Sequence, residues 1–264
     1  MIRISAAIFV VLLSTGAVAQ DKIGKDKAPI VLKKALAEVQ KKKSAAINES
    51  AELVAGPRRA PPSVFEGVLR KDFAAVKGAA EVYGKGATYL VNLGGRFDPP
   101  DAVEGPEAAV ALSFRNPSLL LEELGRNASA PQFGPDEMVD GKDCKAVDIA
   151  LDPALTKQYL KEFGDRMNKA MRGAGGGFGQ VFDLKNAMDE KNTAGSYHVL
   201  IGKDDLLIYR INFAIRPKIK PGALPKEFPV PDDMMQKIDV KFSKYDEEIP
   251  FEIPAVVKAK WGIK

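Results

Sequence analysis

The chain of 264 residues is predicted to be α+β, with a curved antiparallel sheet carrying short covering helices. Three observations predict it. Two hairpins combine period-two apolar alternation with turns rich in Asp and Gly. A series of short alternating segments precedes them. Helical spacing is confined to an N-terminal stretch, a short leucine-rich stretch and one insertion between the hairpins.

The first residues set the compartment. Arg3 gives a positive start, residues 6–13 are an unbroken apolar run, and Ala17-Val18-Ala19 is a small-x-small cleavage site. That order is a secretory leader over 1–19, and its apolar run is too short to span a bilayer. Cleavage after Ala19 leaves 245 of the 264 residues, starting at Gln20, with no cysteine nearby to take a lipid. The mature chain is expected to be periplasmic or secreted and to carry no transmembrane segment. Residues 20–29 are charged and expected to be a flexible tether, leaving 30–264 as one domain.

Composition removes several functions. Thirty-nine Lys and Arg against 35 Asp and Glu, interspersed along the chain, form no basic stripe for nucleic acid. Cys144 is the only cysteine and His198 the only histidine, which rules out an internal disulfide and a Cys/His zinc site. A thiol nucleophile would have only His198 as base, and that residue lies within the strand pattern Tyr197-His198-Val199-Leu200-Ile201.

Along the chain, Val31, Leu32, Ala35, Leu36 and Val39 recur at helical spacing within a helix expected over 30–48, opened by Pro29. Its basic turn Lys41-Lys42-Lys43 suits the negative end of the helix dipole. Gly56 to Pro62 is a linker. Three strands are expected over 63–72, 75–84 and 87–93, with Phe65, Gly67 and Leu69 on one face and Glu66 and Arg70 on the other. Residues 97–106 are an irregular connection. Asn116-Pro117-Ser118 then opens a short helix, a capping side chain followed by proline at the first helical position. Leu119, Leu120, Leu121 and Leu124 make that helix apolar, and Gly125 is its expected stop.

Met138-Val139 leads through Asp140-Gly141-Lys142-Asp143 into a strand on which Val147, Ile149 and Leu151 alternate. After it, Asp152-Pro153 opens a helical insertion with Leu155, Tyr159, Phe163, Met167 and Met171 every four residues. A glycine run at Gly173–Gly179 follows, and then a second helix over 181–188. The second hairpin turns through Gly202-Lys203-Asp204-Asp205 into a strand with Leu207, Tyr209, Ile211, Phe213 and Ile215 on one side. Ile238, Val240 and Phe242 alternate in a later strand, and Phe251 and Ile253 are expected to close the sheet.

Catalytic patterns are missing. The glycine run lacks a following Lys-Ser/Thr pair and a preceding strand, so it is a hinge rather than a phosphate loop. Glu122-Glu123, Asp204-Asp205 and Asp232-Asp233 are adjacent carboxylates expected on turns and helix surfaces, which does not support glycosidase chemistry. No serine lies in a G-x-S-x-G elbow. Asn127-Ala128-Ser129 is a glycosylation sequon by composition alone. The expectation is a non-enzyme without a cofactor or metal.

At its hairpins and C-terminal strands the chain resembles the LolA-like superfamily of periplasmic lipoprotein carriers and lipid-binding lipoproteins. The resemblance is carried by Val139-Asp140-Gly141-Lys142-Asp143-Cys144-Lys145-Ala146-Val147, by Tyr197 to Ile201 with Leu206 to Phe213, and by Ile238 to Tyr245 followed by Pro250-Phe251-Glu252-Ile253-Pro254. It implies an unclosed antiparallel barrel, covered by helices, that holds acyl chains in an apolar interior without catalytic residues. The family's lipoproteins carry a cysteine after the leader, absent here, which favours a soluble carrier. The expected lining is Leu119, Leu120, Leu124, Val147, Ile149, Tyr209, Ile211 and Phe213. The alternative is a structural or protein-interaction module of the cell envelope with a filled core and a protein partner.

Overall fold

In the computed structural model, residues 22–24, 26–55, 58–59, 61–102, 113–126, 129–173, 184–223 and 234–263 are described. The expected leader at 1–19, Asn127 and Ala128 of the sequon, Asp232-Asp233, residues 174–179 of the glycine run and the side chains of Met167 and Met171 lie outside them.

The elements in chain order are α1 (Ala28–Gln40), β1 (Ala45–Ala55), β2 (Arg58–Arg59), β3 (Ser63–Arg70), β4 (Phe73–Gly78), β5 (Glu81–Lys85), β6 (Thr88–Leu93), β7 (Arg96–Asp98), a 3-10 turn (Pro100–Ala102), α2 (Pro117–Arg126), β8 (Ser129–Val139), β9 (Lys142–Ala150), α3 (Pro153–Gly173), α4 (Leu184–Ala187), β10 (Ala194–Gly202), β11 (Ile208–Arg216), β12 (Met234–Ser243) and α5 (Ala255–Trp261). All twelve strands belong to one antiparallel sheet, in the order β7-β6-β5-β4-β3-β1-β12-β11-β10-β9-β8, with β2 paired to β1 off that path. The terminal strands β7 and β8 pair with no common partner, so the barrel is open, as expected. β1 and β12 join an N-terminal and a C-terminal meander at the centre.

The hairpin and helix signals have direct structural counterparts. Asp140 and Gly141 form a two-residue turn with φ of 48° and 81°, both left-handed, as a twisted hairpin requires. Asn116 caps α2: its Oδ1 accepts from the Ser118 backbone N–H at 3.1 Å and from the Ser118 hydroxyl at 3.0 Å. Asp152 caps α3 through the Leu155 N–H at 2.8 Å. On β11 the residues at 209, 211, 213 and 215 are buried while Arg210 and Asn212 face outward, as the alternation predicts.

Five expectations are corrected. The N-terminal helix ends at Gln40, and 45–55 is strand β1 rather than helix. Its inward positions Ala45, Ile47, Glu49 and Ala51 include two alanines and an acid, which conceal the period of two. The segment 75–84 is two strands turning at Ala79-Ala80. Residues 96–98 form an edge strand. The short helix runs through Gly125 to Arg126. Phe251 and Ile253 form no strand; they pack beneath α5 on the outer face of β3 to β6. Within the expected tether, Ile23 is buried and the Lys22 N–H donates to the Lys203 carbonyl at 2.8 Å.

The sheet therefore has two cores. The concave face, with α1, α2 and α3, holds the larger cluster, including Val31, Leu32, Leu120, Leu124, Tyr159, Phe163 and the inward residues of β1 and β9 to β12. On the convex face, Val68, Phe73, Ala75, Tyr83 and Leu90 pack against Ile253 and Val257, and Trp261 lies edge-on to Phe73 at 5.9 Å. The N-terminal meander bends sharply: a Cβ at Gly67 would lie 1.9 Å from the Ala75 carbonyl oxygen, so only glycine permits the β3–β4 approach.

Candidate functional site

Strand register builds the concave wall in transverse rows. One row runs Glu49, Val240, Ile211, Val199, Val147 across β1, β12, β11, β10 and β9. The next runs Ala51, Ile238, Phe213, Tyr197, Ile149. Inward alternation sends all ten side chains to one face, where they are buried. Two polar residues, Glu49 and Tyr197, thus sit within an apolar wall at positions fixed by register.

Arg115 approaches that wall from the segment preceding α2. Its backbone N–H donates to Glu49 Oε1 at 2.8 Å. Its guanidinium lies over the rings of Tyr159 and Phe213, 4.9 and 5.2 Å from their centroids, and its Nη2 is paired with Glu123 of α2. Tyr197 donates to the other Glu123 oxygen at 2.8 Å, and Tyr159 donates to Gln236 at 2.5 Å. Two atoms in this buried group have no hydrogen-bond partner among the described residues: Arg115 Nη1 and Glu49 Oε2.

Electrostatics follow from burial and pairing. Burial holds Glu49 well above the ordinary carboxylic-acid range, outweighing the Arg115 amide and charge. Burial alone would lower the Arg115 guanidinium; Glu123 foremost, with Tyr159 and Tyr197, raises it instead. Tyr197 is raised by burial and then by Glu123. Arg115 and Glu123 are therefore a charge-matched pair, while Glu49 has no ion pair among the described residues.

The expected lining divides into three. Leu120, Leu124, Val147, Ile149, Ile211 and Phe213 come together in the concave cluster, none more than 2% exposed. Tyr209 also belongs to that cluster but sits at the hairpin end, its hydroxyl donating to Asp205 at 2.5 Å. Leu119 is half-buried and outside the cluster; Leu121 takes the contact instead. Glu123 corrects the expectation of a solvated Glu122-Glu123 pair, since only Glu122 pairs at the surface, with Arg126. Arg115 and Glu49 were not singled out by the sequence: each is a lone charge without a motif, and only the register of β1 shows that Glu49 faces inward.

Outside the interior, an open groove of about 330 Å³ lies between the end of α1, α2 and the start of β1. Leu36, Val39, Leu69 and Leu121 supply apolar lining, and Lys42 and Lys71 are also at its walls. Cys144 is fully buried, and burial raises its thiol to about 11, an inert state. His198 lies on the convex face with Nδ1 2.6 Å from Asp148 and Nε2 3.0 Å from Glu137, linking β10 to β9 and β8. No group of three or more metal-ligating side chains occurs among the described residues, and no helix there is long and apolar enough to cross a membrane.

No protein-family model and no curated protein matches the chain. Among solved structures it is similar to lipoprotein LppX from Mycobacterium tuberculosis, with 12% identity over 85% of this chain and 99% of that one and a TM-score of 0.41. LprF from Mycobacterium bovis gives 12% identity, coverage of 86% and 97%, and a TM-score of 0.39. A LolA superfamily protein from Nitrosomonas europaea gives 11% identity, coverage of 88% and 97%, and a TM-score of 0.31.

Proposed function

We propose that this protein is an exported, non-catalytic binder or carrier of a lipid or other acylated ligand, held on the concave face of its open sheet. One observation carries the reading. The interior wall is a mainly apolar surface spanning five strands, interrupted by Glu49 and Tyr197, and helices α1 to α3 rather than a second sheet cover it. A helix cover can move as a body while every strand keeps its backbone pairing, so an acyl chain can be admitted without breaking the sheet. The proposed lining is Leu120, Leu124, Val147, Ile149, Ile211 and Phe213, with Tyr209 at one end and Leu119 at the rim. Export rests on the leader at 1–19, cleaved after Ala19, with 30–264 acting as one domain.

Burial of those lining residues also favours a second reading, a filled core that serves a protein partner in the envelope. Native mass spectrometry of protein recovered from its own compartment separates the two. The carrier reading expects co-purifying acyl species, or uptake of a fluorescent acyl probe after delipidation. An apo mass with no uptake contradicts it. Ile211→Glu places a charge in the centre of the wall and is expected to abolish uptake; a folded Ile211→Glu protein with unchanged uptake removes this face from the site.

A further inference from the structure

The unpaired atoms in the interior bear on what the ligand carries at its head. Arg115 Nη1 is a donor by chemistry, and its guanidinium is fixed by the Glu123 pair and the rings of Tyr159 and Phe213. Glu49 is fully buried and its Oε1 accepts from the Arg115 amide. A buried carboxyl without an ion pair keeps its proton, and that proton resides on Oε2, the oxygen left without a partner. Two neighbouring residues therefore hold unmet donors among the apolar side chains of the concave cluster, and buried donors of this kind are nearly always satisfied.

The charge count narrows what satisfies them. Arg115 is already matched by Glu123, so a further anion would be an uncompensated buried charge. An uncharged oxygen with two lone pairs meets both donors at no such cost. A carbonyl is that oxygen, and an acyl ester places one at the end of an apolar chain.

We infer that Arg115 and Glu49 form a seat for the ester carbonyl of an acyl lipid, Arg115 Nη1 and the Glu49 carboxyl each donating to that oxygen. The inference rests on the interior being the acyl site. Arg115 and Glu49 are then specificity residues that separate esters from hydrocarbons and from fatty-acid anions of the same chain length.

Competition against a bound fluorescent acyl probe tests this on the full chain, with 1-monooleoylglycerol, oleate at pH 9 and the matching hydrocarbon as competitors. The ester is expected to bind roughly 10- to 30-fold more tightly than the hydrocarbon, the contribution of two net hydrogen bonds. Arg115→Met paired with Glu123→Gln, which avoids orphaning the acid, is expected to remove most of that ratio. Glu49→Gln keeps a donor facing the ligand and an acceptor for the Arg115 amide, so it is expected to hold the ratio within threefold; Glu49→Ala lowers it. Equal binding of ester and hydrocarbon in the unsubstituted protein overturns the seat while leaving the acyl-binding reading intact. Stronger binding of oleate than of the ester overturns it in favour of an anion site. Failure of all three to displace the probe, or of the probe to bind, overturns the acyl-binding reading and the seat with it.

Discussion

The two meanders of this sheet are built from the same hairpin chemistry and solve different problems. In the N-terminal meander both faces are covered: β4 buries Phe73, Ala74, Ala75 and Val76 in succession, the odd pair against α5 and the even pair against the concave interior. In the C-terminal meander the concave face is apolar along its length, while the outer face is apolar only toward the hairpin end, where Ala146 and Leu200 are buried. Its outer face carries Asp148, His198, Asn212 and Asp239 as one transverse row, with His198 bridging Asp148 and Glu137 and Arg210 holding Asp239 at 2.7 and 2.8 Å. The first half is fixed between two cores. The second carries most of its apolar cover on the concave side, with a polar outer row beyond Leu200.

That contrast breaks first at Gly67. Gly67→Val drives a side chain into the Ala75 carbonyl and is expected to cost about 3 kcal/mol or more, read as loss of soluble folded protein. Next is the outer core: Phe73→Ala removes a fully enclosed ring beside Trp261 and is expected to cost about 3–5 kcal/mol in denaturant unfolding, with acyl uptake by the folded fraction unchanged.

Glu49 gives a smaller, pH-dependent effect. Its folded-state pKa lies above its unfolded value, so between the two the folded chain holds a proton that the unfolded chain has released. Stability therefore falls as pH rises above about 4.5, by about 1.4 kcal/mol per pH unit, until the folded-state group itself ionises. Glu49→Gln is expected to flatten that slope and to raise the melting temperature at pH 7; an unchanged slope contradicts a neutral Glu49. The least effect belongs to the outer row. Arg210→Ala is expected to cost under about 1 kcal/mol, because the Arg210–Asp239 pair is about one-third exposed and screened.

The same contrast explains what was legible in the sequence. β11 and β12 alternate because one face is wet and the other dry, so their inward residues were readable at Tyr209, Ile211, Phe213 and Ile215 and from Ile238 to Phe242, whereas β10 alternates only as far as Val199. β4 and β5 lose that period because both faces are dry, and their turn at Ala79-Ala80 has no Asn, Asp, Gly or Pro at its centre, so they merged into one expected strand. β1 was hidden for another reason: alanines and Glu49 occupy its inward positions, and composition there resembles a helix. The apolar part of the candidate site was thus visible, apart from Leu119. Its polar part was not, since Arg115, Glu123 and Glu49 are separated by up to 74 residues from the groups they hydrogen-bond. The open barrel anticipated from the resemblance follows from the strand order, while α5, which covers the outer core, carried no signal beyond its C-cap Gly262.

The central claim is that an acyl chain lies against the concave wall of the C-terminal meander. Methyl-labelled NMR during titration with 1-monooleoylglycerol compares the two cores in one sample. Val147, Val199, Ile211 and Val240 are predicted to shift and to saturate together, while Val68, Leu90 and Val257 stay in place. Shifts confined to the outer core, or none at the concave row under conditions where the protein retains the lipid, would contradict the account.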